Sequence, residues 1–220
     1  MINVHHFVFN DFLENTYVLW DETNECVIID PGCYYPNERS DLENFIEGKG
    51  LKPVLLLNTH CHIDHVLGNK WVKEKYEIDL LIHQKEVVVL NSAESIGKMY
   101  GIYVEPSPTP DRFLAEGEKV TFGNSMLDVF FTPGHSPGSI SFYSENDKFV
   151  MGGDVLFQSS IGRTDLPGGS YQLLMESIFN KLLILPDDVV VYSGHGPSTT
   201  IGEERKNNPF VLEYATEIQK

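Results

Sequence analysis

Basic charge is in short supply in this chain. Its 220 residues hold 16 lysines and arginines against 32 aspartates and glutamates, a formal net charge of −16. A phosphate backbone is held by basic surface, and so is an anionic bilayer, so neither nucleic acid nor a membrane is expected as a partner. A small-molecule substrate is the remaining class, and bound divalent cations would offset the acidity locally, which leaves anionic substrates open. Cysteine is scarce too. Cys26, Cys33 and Cys61 form an odd set with no Cys-x-x-Cys pair, which argues against a disulfide framework and for a reducing, cytoplasmic setting. Long apolar runs are missing: none approaches the roughly 18 residues a membrane-crossing helix needs. Residues 1–10 show no basic segment leading into an apolar one, so no signal peptide is read there.

What is present alternates between short β-type and helical runs. Residues 17–20 and 26–29, joined by a turn at 21–24, predict a hairpin that stops at Asp30. Residues 41–49 carry Leu42, Phe45 and Ile46 at helical spacing. A buried strand at 54–57, a helix at 69–76, a strand at 80–82 and a mainly helical stretch at 84–100 follow. Pro106, Pro108 and Pro110 make 105–111 an extended loop. The second half repeats the plan: a hairpin from 140–143 and 149–151 ending at Asp154, a helix at 171–183, and a strand at 189–192 that leads to His195. β-type runs thus dominate both ends, and hairpin-to-Asp, helix, strand-to-His occurs twice. Two such halves predict two packed sheets with helices outside. No low-complexity stretch or linker divides them, so residues 1–220 read as one domain.

The chemistry concentrates in Thr59-His60-Cys61-His62-Ile63-Asp64-His65, directly after an apolar strand. His60 and His62 alternate across Cys61, so an extended loop aims both imidazoles one way and the thiol the other. Asp64 and His65 come from the following turn, and Gly68 permits close packing there. Three solitary residues join them, each in a glycine-flanked turn beyond an apolar run: His135 in Pro-Gly-His-Ser-Pro-Gly, Asp154 in Gly-Gly-Asp, and His195 in Gly-His-Gly-Pro. A packing role for so many imidazoles would require a partner for each. Five imidazoles and two carboxylates are too many for one tetrahedral zinc. Two metals about 3.5–4 Å apart, with three private ligands each and one shared carboxylate, account for all seven. His5, His6 and His83 stand alone and are left out.

Together these segments resemble the metallo-β-lactamase superfamily, on the motif Thr-His-x-His-x-Asp-His at 59–65 with His135, Asp154 and His195 in order. The resemblance implies an α/β fold, a four-layer αββα sandwich with metals at one edge. It implies that His60, His62 and His135 hold one metal, that Asp64, His65 and His195 hold the other, and that Asp154 bridges. The cofactors implied are two divalent ions, zinc first, with iron or manganese as substitutes. Gly162-Arg163-Thr164-Asp165 is similar to the glyoxalase II group, the hydroxyacylglutathione hydrolases, and also to the persulfide dioxygenases. The resemblance is to the short bacterial glyoxalase II-like hydrolases, since only about 25 residues follow His195. It implies hydrolysis of a thioester such as an S-acylglutathione by a hydroxide shared between the metals and oriented by Asp64. The alternative is a dioxygenase with one iron on a histidine of the cluster, His135 and Asp154. Arg163 either binds a substrate carboxylate, for which a guanidinium is suited, or pairs with Asp165 and pins its loop.

Overall fold

The computed structural model describes residues 1–218. Six strands form a first sheet: β1 (Asn3–Phe9), β2 (Glu14–Trp20), β3 (Glu25–Ile29), β4 (Lys52–Leu57), β5 (Asp79–His83) and β6 (Arg112–Leu114), in that spatial order. β1, β2 and β3 pair antiparallel, whereas β3 through β6 run parallel. The second sheet begins with β7 (Lys119–Phe122), β8 (Ser125–Phe131), β9 (Ile140–Ser144) and β10 (Phe149–Gly153). The chain then makes a two-stranded ribbon, β11 (Leu156–Phe157) and β12 (Ser160–Ile161). β13 (Val190–Ser193) and β14 (Thr199–Thr200) complete the second sheet on the far side of β10.

Strand alternation sorts the core into three layers, because successive side chains point to opposite faces. Tyr17, Leu19, Val27, Ile29, Leu57 and Leu81 of the first sheet meet Leu127, Val129, Ile140, Phe142, Phe149 and Met151 of the second between the sheets. Val18, Cys26, Ile28, Leu56, Leu80 and Ile82 face outward instead. They are covered by α1 (Pro36–Lys49), α2 (Ile63–Val66), α3 (Asn69–Tyr76) and α4 (Val87–Tyr100), through Leu42, Ile46, Val66, Val72, Leu90 and Ala93. On the far side, Tyr143, Val150 and Val191 pack under α5 (Tyr171–Ser177), its π-helical continuation Ile178–Leu182, α6 (Ile201–Asn207) and α7 (Pro209–Glu217). The order is helix, sheet, sheet, helix, as expected. All three cysteines are free and buried, and no described helix is long and apolar enough to cross a membrane.

Two expectations need correction. The first helix begins at Pro36, not at 41. Proline is at home in a first helical turn, where its missing N–H costs nothing. The Glu38 carboxylate accepts from the Tyr34 and Tyr35 amides at 2.8 and 2.9 Å, closing that turn. The C-terminal end is helical rather than β-rich. After the two-residue β14, Thr200 caps α6 and Asn208 caps α7 with side-chain oxygens. The doubled plan does recur in space: antiparallel β2–β3 then parallel β3–β4 in one sheet, antiparallel β9–β10 then parallel β10–β13 in the other. Asp30 and Asp154 therefore occupy corresponding places, just past β3 and β10.

Candidate metal centre

Five loops that follow strands meet at one edge of the sandwich. β3 leads to Asp30, β4 to residues 60–65, β8 to His135, β10 to Asp154 and β13 to His195. Rigid strands aim these loops, which is how side chains far apart in sequence acquire a fixed geometry. His60 and His62 flank Cys61, whose side chain is wholly buried in the outer core while both imidazoles turn to the centre. Asp64 and His65 lie in the short α2 rather than in a turn, with His62 as its N-cap residue. Gly68 then lets the chain pass close to Pro31, since a Cβ there would come 2.7 Å from the Pro31 carbonyl oxygen.

The seven residues form two adjacent groups. One potential ligand atom from each of His60, His62 and His135 lies within 4.8 Å of the others. His62 Nδ1 and His135 Nε2 are 2.8 Å apart. The same 4.8 Å holds for Asp64, His65 and His195. Asp64 Oδ2 is 3.1 Å from His195 Nε2 and 3.6 Å from His65 Nε2. Asp154 stands between the groups, with Oδ2 3.4 Å from His135 Nε2 and 3.6 Å from His195 Nε2, and Oδ1 3.5 Å from His65 Nε2. Gly153 before it has φ +52°, a left-handed conformation that glycine adopts without strain.

The outward nitrogens are held by the protein. His135 Nδ1 lies 2.8 Å from the Arg163 carbonyl oxygen and His195 Nδ1 3.1 Å from that of Leu13. His65 Nδ1 lies 3.2 Å from Asp30 Oδ2, and His60 Nδ1 3.1 Å from Thr59 Oγ1. Donation on that side leaves the other nitrogen's lone pair free to face the centre. Three polar atoms at this point are buried with no hydrogen-bond partner among the described residues: His60 Nε2, His65 Nε2 and Asp154 Oδ1. Buried polar atoms left unpaired are costly, and a cation is the partner that would satisfy two imidazole lone pairs and a carboxylate oxygen together. The donor set therefore fits divalent metal. Asp30, His60 and His65 also fall within 4.8 Å. However, Asp30 already accepts from the Thr59 amide at 2.7 Å and the Thr59 hydroxyl at 2.6 Å, so its oxygens are spent on holding the loop.

Electrostatics divides the groups. Burial, followed by neighbouring imidazoles, pushes His62 down to about 4 and His60 well below its ordinary range, so both are neutral and ready to ligate. Burial opposes charge on His65 and His195 as well, but Asp64 and Asp154 outweigh it and both are raised. Burial would raise the Asp64 carboxyl; the His65 and His195 imidazoles more than offset this and hold it below the usual carboxylate range.

The Arg163 guanidinium makes a bidentate pair with Asp165, both bonds 2.7 Å, with both side chains exposed. Its direct tie to the centre is its carbonyl oxygen on His135. Sequence reasoning overlooked Asp30, Glu86, Asn15 and Tyr17, which hold the ligand-bearing loops. For Asp30 a signal existed, because Ile-Ile-Asp-Pro-Gly ends a strand as Gly-Gly-Asp154 does. For the others there was none.

The family model of the metallo-beta-lactamase superfamily matches residues 10–195. "Probable metallo-hydrolase YqgX" of Bacillus subtilis is 42% identical over 90% of this chain and 92% of that one. "Hydroxyacylglutathione hydrolase GloC" of Haemophilus influenzae is 37% identical over 91% and 93%. Among solved structures, BLEG-1 B3 metallo-beta-lactamase superposes with a TM-score of 0.88 at 38% identity, covering 95% of this chain and 99% of that one. TTHA1623 in a di-iron-bound form gives 0.85 at 34% identity, covering 94% and 99%. The chain belongs to the metallo-beta-lactamase superfamily, a superfamily of metallo-hydrolases.

Proposed function

We propose that the protein is a dinuclear metal-dependent hydrolase acting on thioesters such as an S-acylglutathione. His60, His62 and His135 would hold one divalent ion, Asp64, His65 and His195 the other, and Asp154 would serve both. Zinc is the first choice; iron or manganese suits the same donors. The observation that carries this reading is the second group. Asp64, His65 and His195 converge within 4.8 Å and leave His65 Nε2 buried and unpaired, which the one-iron dioxygenase alternative would not require. A bound divalent pair lowers the pKa of water toward neutrality and polarises a carbonyl oxygen. Asp64, as a carboxylate ligand of the second ion, would accept a hydrogen bond from the attacking water and orient it. A thiolate leaves without help, since a thiol pKa is about 8.5; the amide nitrogen of a lactam leaves as a much stronger base and asks for a proton donor.

The thioester assignment rests on the Gly162–Asp165 motif and on the likeness to a protein named hydroxyacylglutathione hydrolase. Arg163 would have to leave Asp165 to meet a substrate carboxylate, at a cost of about 1 kcal/mol or less for an exposed pair. In the tail, Arg205 donates to the Leu183 and Leu185 carbonyls at 2.6 and 2.8 Å, so it braces the fold rather than reaching for glutathione. The test sets an S-acylglutathione, an acyl thioester of another thiol, a β-lactam and a persulfide side by side. Thioester cleavage without oxygen uptake is the expected result. Oxygen uptake with the persulfide, or lactam turnover above that of both thioesters, overturns the proposal.

A further inference from the structure

Glu86, just before α4, is wholly buried yet takes no part in the chemistry above. Its carboxylate accepts three hydrogen bonds, none from its own helix. Oε2 accepts from the Cys61 amide at 2.7 Å; Oε1 accepts from the Ser136 hydroxyl at 2.6 Å and the Gly138 amide at 2.7 Å. Cys61 sits between His60 and His62, and Ser136 and Gly138 follow His135. One side chain thus ties together the two loops that bring three imidazoles to one point. The fit is close: a Cβ on Gly138 would lie 2.8 Å from the Glu86 amide nitrogen and 2.9 Å from Glu86 Cγ.

The His195 loop is held by other residues. Asn15 donates from its amide to the Gly194 carbonyl at 2.7 Å, and from Nδ2 to the Ser193 and Gly196 carbonyls at 2.9 and 2.8 Å. The Tyr17 hydroxyl donates to the Ser193 carbonyl at 2.6 Å. α2, which carries Asp64 and His65, is held by Asn10 Nδ2 on the Asp64 carbonyl and by Asp30 on His65. Asp30 serves both halves, through Thr59 on one side and His65 on the other, whereas the Glu86 carboxylate bonds only to the loops of the His60–His62–His135 group.

We infer that Glu86 is a positioning residue for the His60–His62–His135 group alone, and that it sets the affinity of one of the two metals. This rests on the two-metal reading. Glu86→Gln keeps the shape of the side chain. With its amide oxygen toward Ser136 and Gly138, its NH2 group faces the Cys61 N–H, donor against donor.

Metal-free protein is titrated with Zn²⁺ against a chromophoric chelator, and its melting is followed by circular dichroism. In Glu86→Gln one of two equivalents weakens about 10-fold, the lower end of the range for groups that bond a metal ligand directly, because Glu86 bonds to the residues beside the ligands, while the other stays within about threefold. In a His195→Ala background the remaining equivalent shows the whole loss; in a His135→Ala background the remaining equivalent does not change. Ser136→Ala, which removes one bond of three, gives a smaller loss at the same equivalent and serves if Glu86→Gln does not fold. Equal weakening of both equivalents, or of neither, overturns the inference. Wild-type protein that takes up fewer than two equivalents sinks the two-metal reading, and the inference with it.

Discussion

Adding one methyl group at Gly194 should disable the centre while leaving the sandwich folded. A Cβ at this position would come 2.7 Å from His65 Cε1, and nearer still to Asp154 Oδ1. Ordinary contact begins near 3.4 Å, so the shortfall at His65 alone is 3.4 − 2.7 = 0.7 Å. His65 cannot retreat easily, being wholly buried and bonded through Nδ1 to Asp30. The Gly194 backbone is pinned too, donating to Gly153 at 3.0 Å and accepting from Asn15 at 2.7 Å. The remaining freedom is a shift of Asp154, the residue between the two groups. A misplacement of about 1 Å at a reacting centre costs roughly 10²-fold, or about 2.7 kcal/mol of barrier. Gly194→Ala should therefore lower kcat/KM for thioester hydrolysis about 100-fold and reduce metal retention on dialysis. Its melting temperature should fall only modestly, because the clash is confined to His65 and Asp154 and no apolar core side chain is touched. Gly194→Ala protein that keeps kcat/KM within threefold of wild type and retains both metal equivalents would refute the reasoning.

Gly48→Ala is the matching control: nothing lies within 4 Å of a Cβ there, so the helix gains about 0.5–1 kcal/mol, read as a higher urea midpoint with unchanged activity. Asp21 accepts four hydrogen bonds, from Thr23 N and Oγ1, Asn124 N and Ser125 Oγ. Burial pushes its carboxyl up, but those bonds prevail and hold it down to about 2. Its stabilisation is complete above its unfolded value of about 3.9 and is lost as pH falls through 2. Asp21→Ala should cost about 1–3 kcal/mol at pH 7, a gap that narrows below pH 4 in urea titrations. Arg163→Ala should raise KM for an anionic thioester and spare kcat, because the carbonyl oxygen that holds His135 is kept; steady-state kinetics with charged and neutral acyl groups separates the two.

The candidate centre was legible because its donors advertise themselves. Imidazoles and carboxylates at strand ends, between glycines, have little other reason to gather, and four of the seven lie within six residues. The layers were legible from two similar halves in which strands and helices interleave. The braces were not. Glu86 follows His83-Gln84-Lys85 and looks like an exposed first turn of a helix; only the fold buries it against loops 25 and 50 residues away. Asn15 and Tyr17 reach Ser193, more than 170 positions on, and no local pattern announces such a partner. β1 and the three-residue β6 escaped notice because edge strands need show neither strict alternation nor a long apolar run. The C-terminal helices were missed because their signals are caps, Thr200 and Asn208, rather than periodicity.

Stepwise addition of Zn²⁺ to metal-free enzyme, reading uptake and thioester hydrolysis in the same samples, tests the central claim most directly. Two donor groups joined by Asp154 should take up two equivalents, with hydrolysis rising as the second binds; His195→Ala should take up one and lose most of the activity. Full activity at one equivalent, His195→Ala protein as active as wild type, or a one-iron form that consumes oxygen with a persulfide would contradict it.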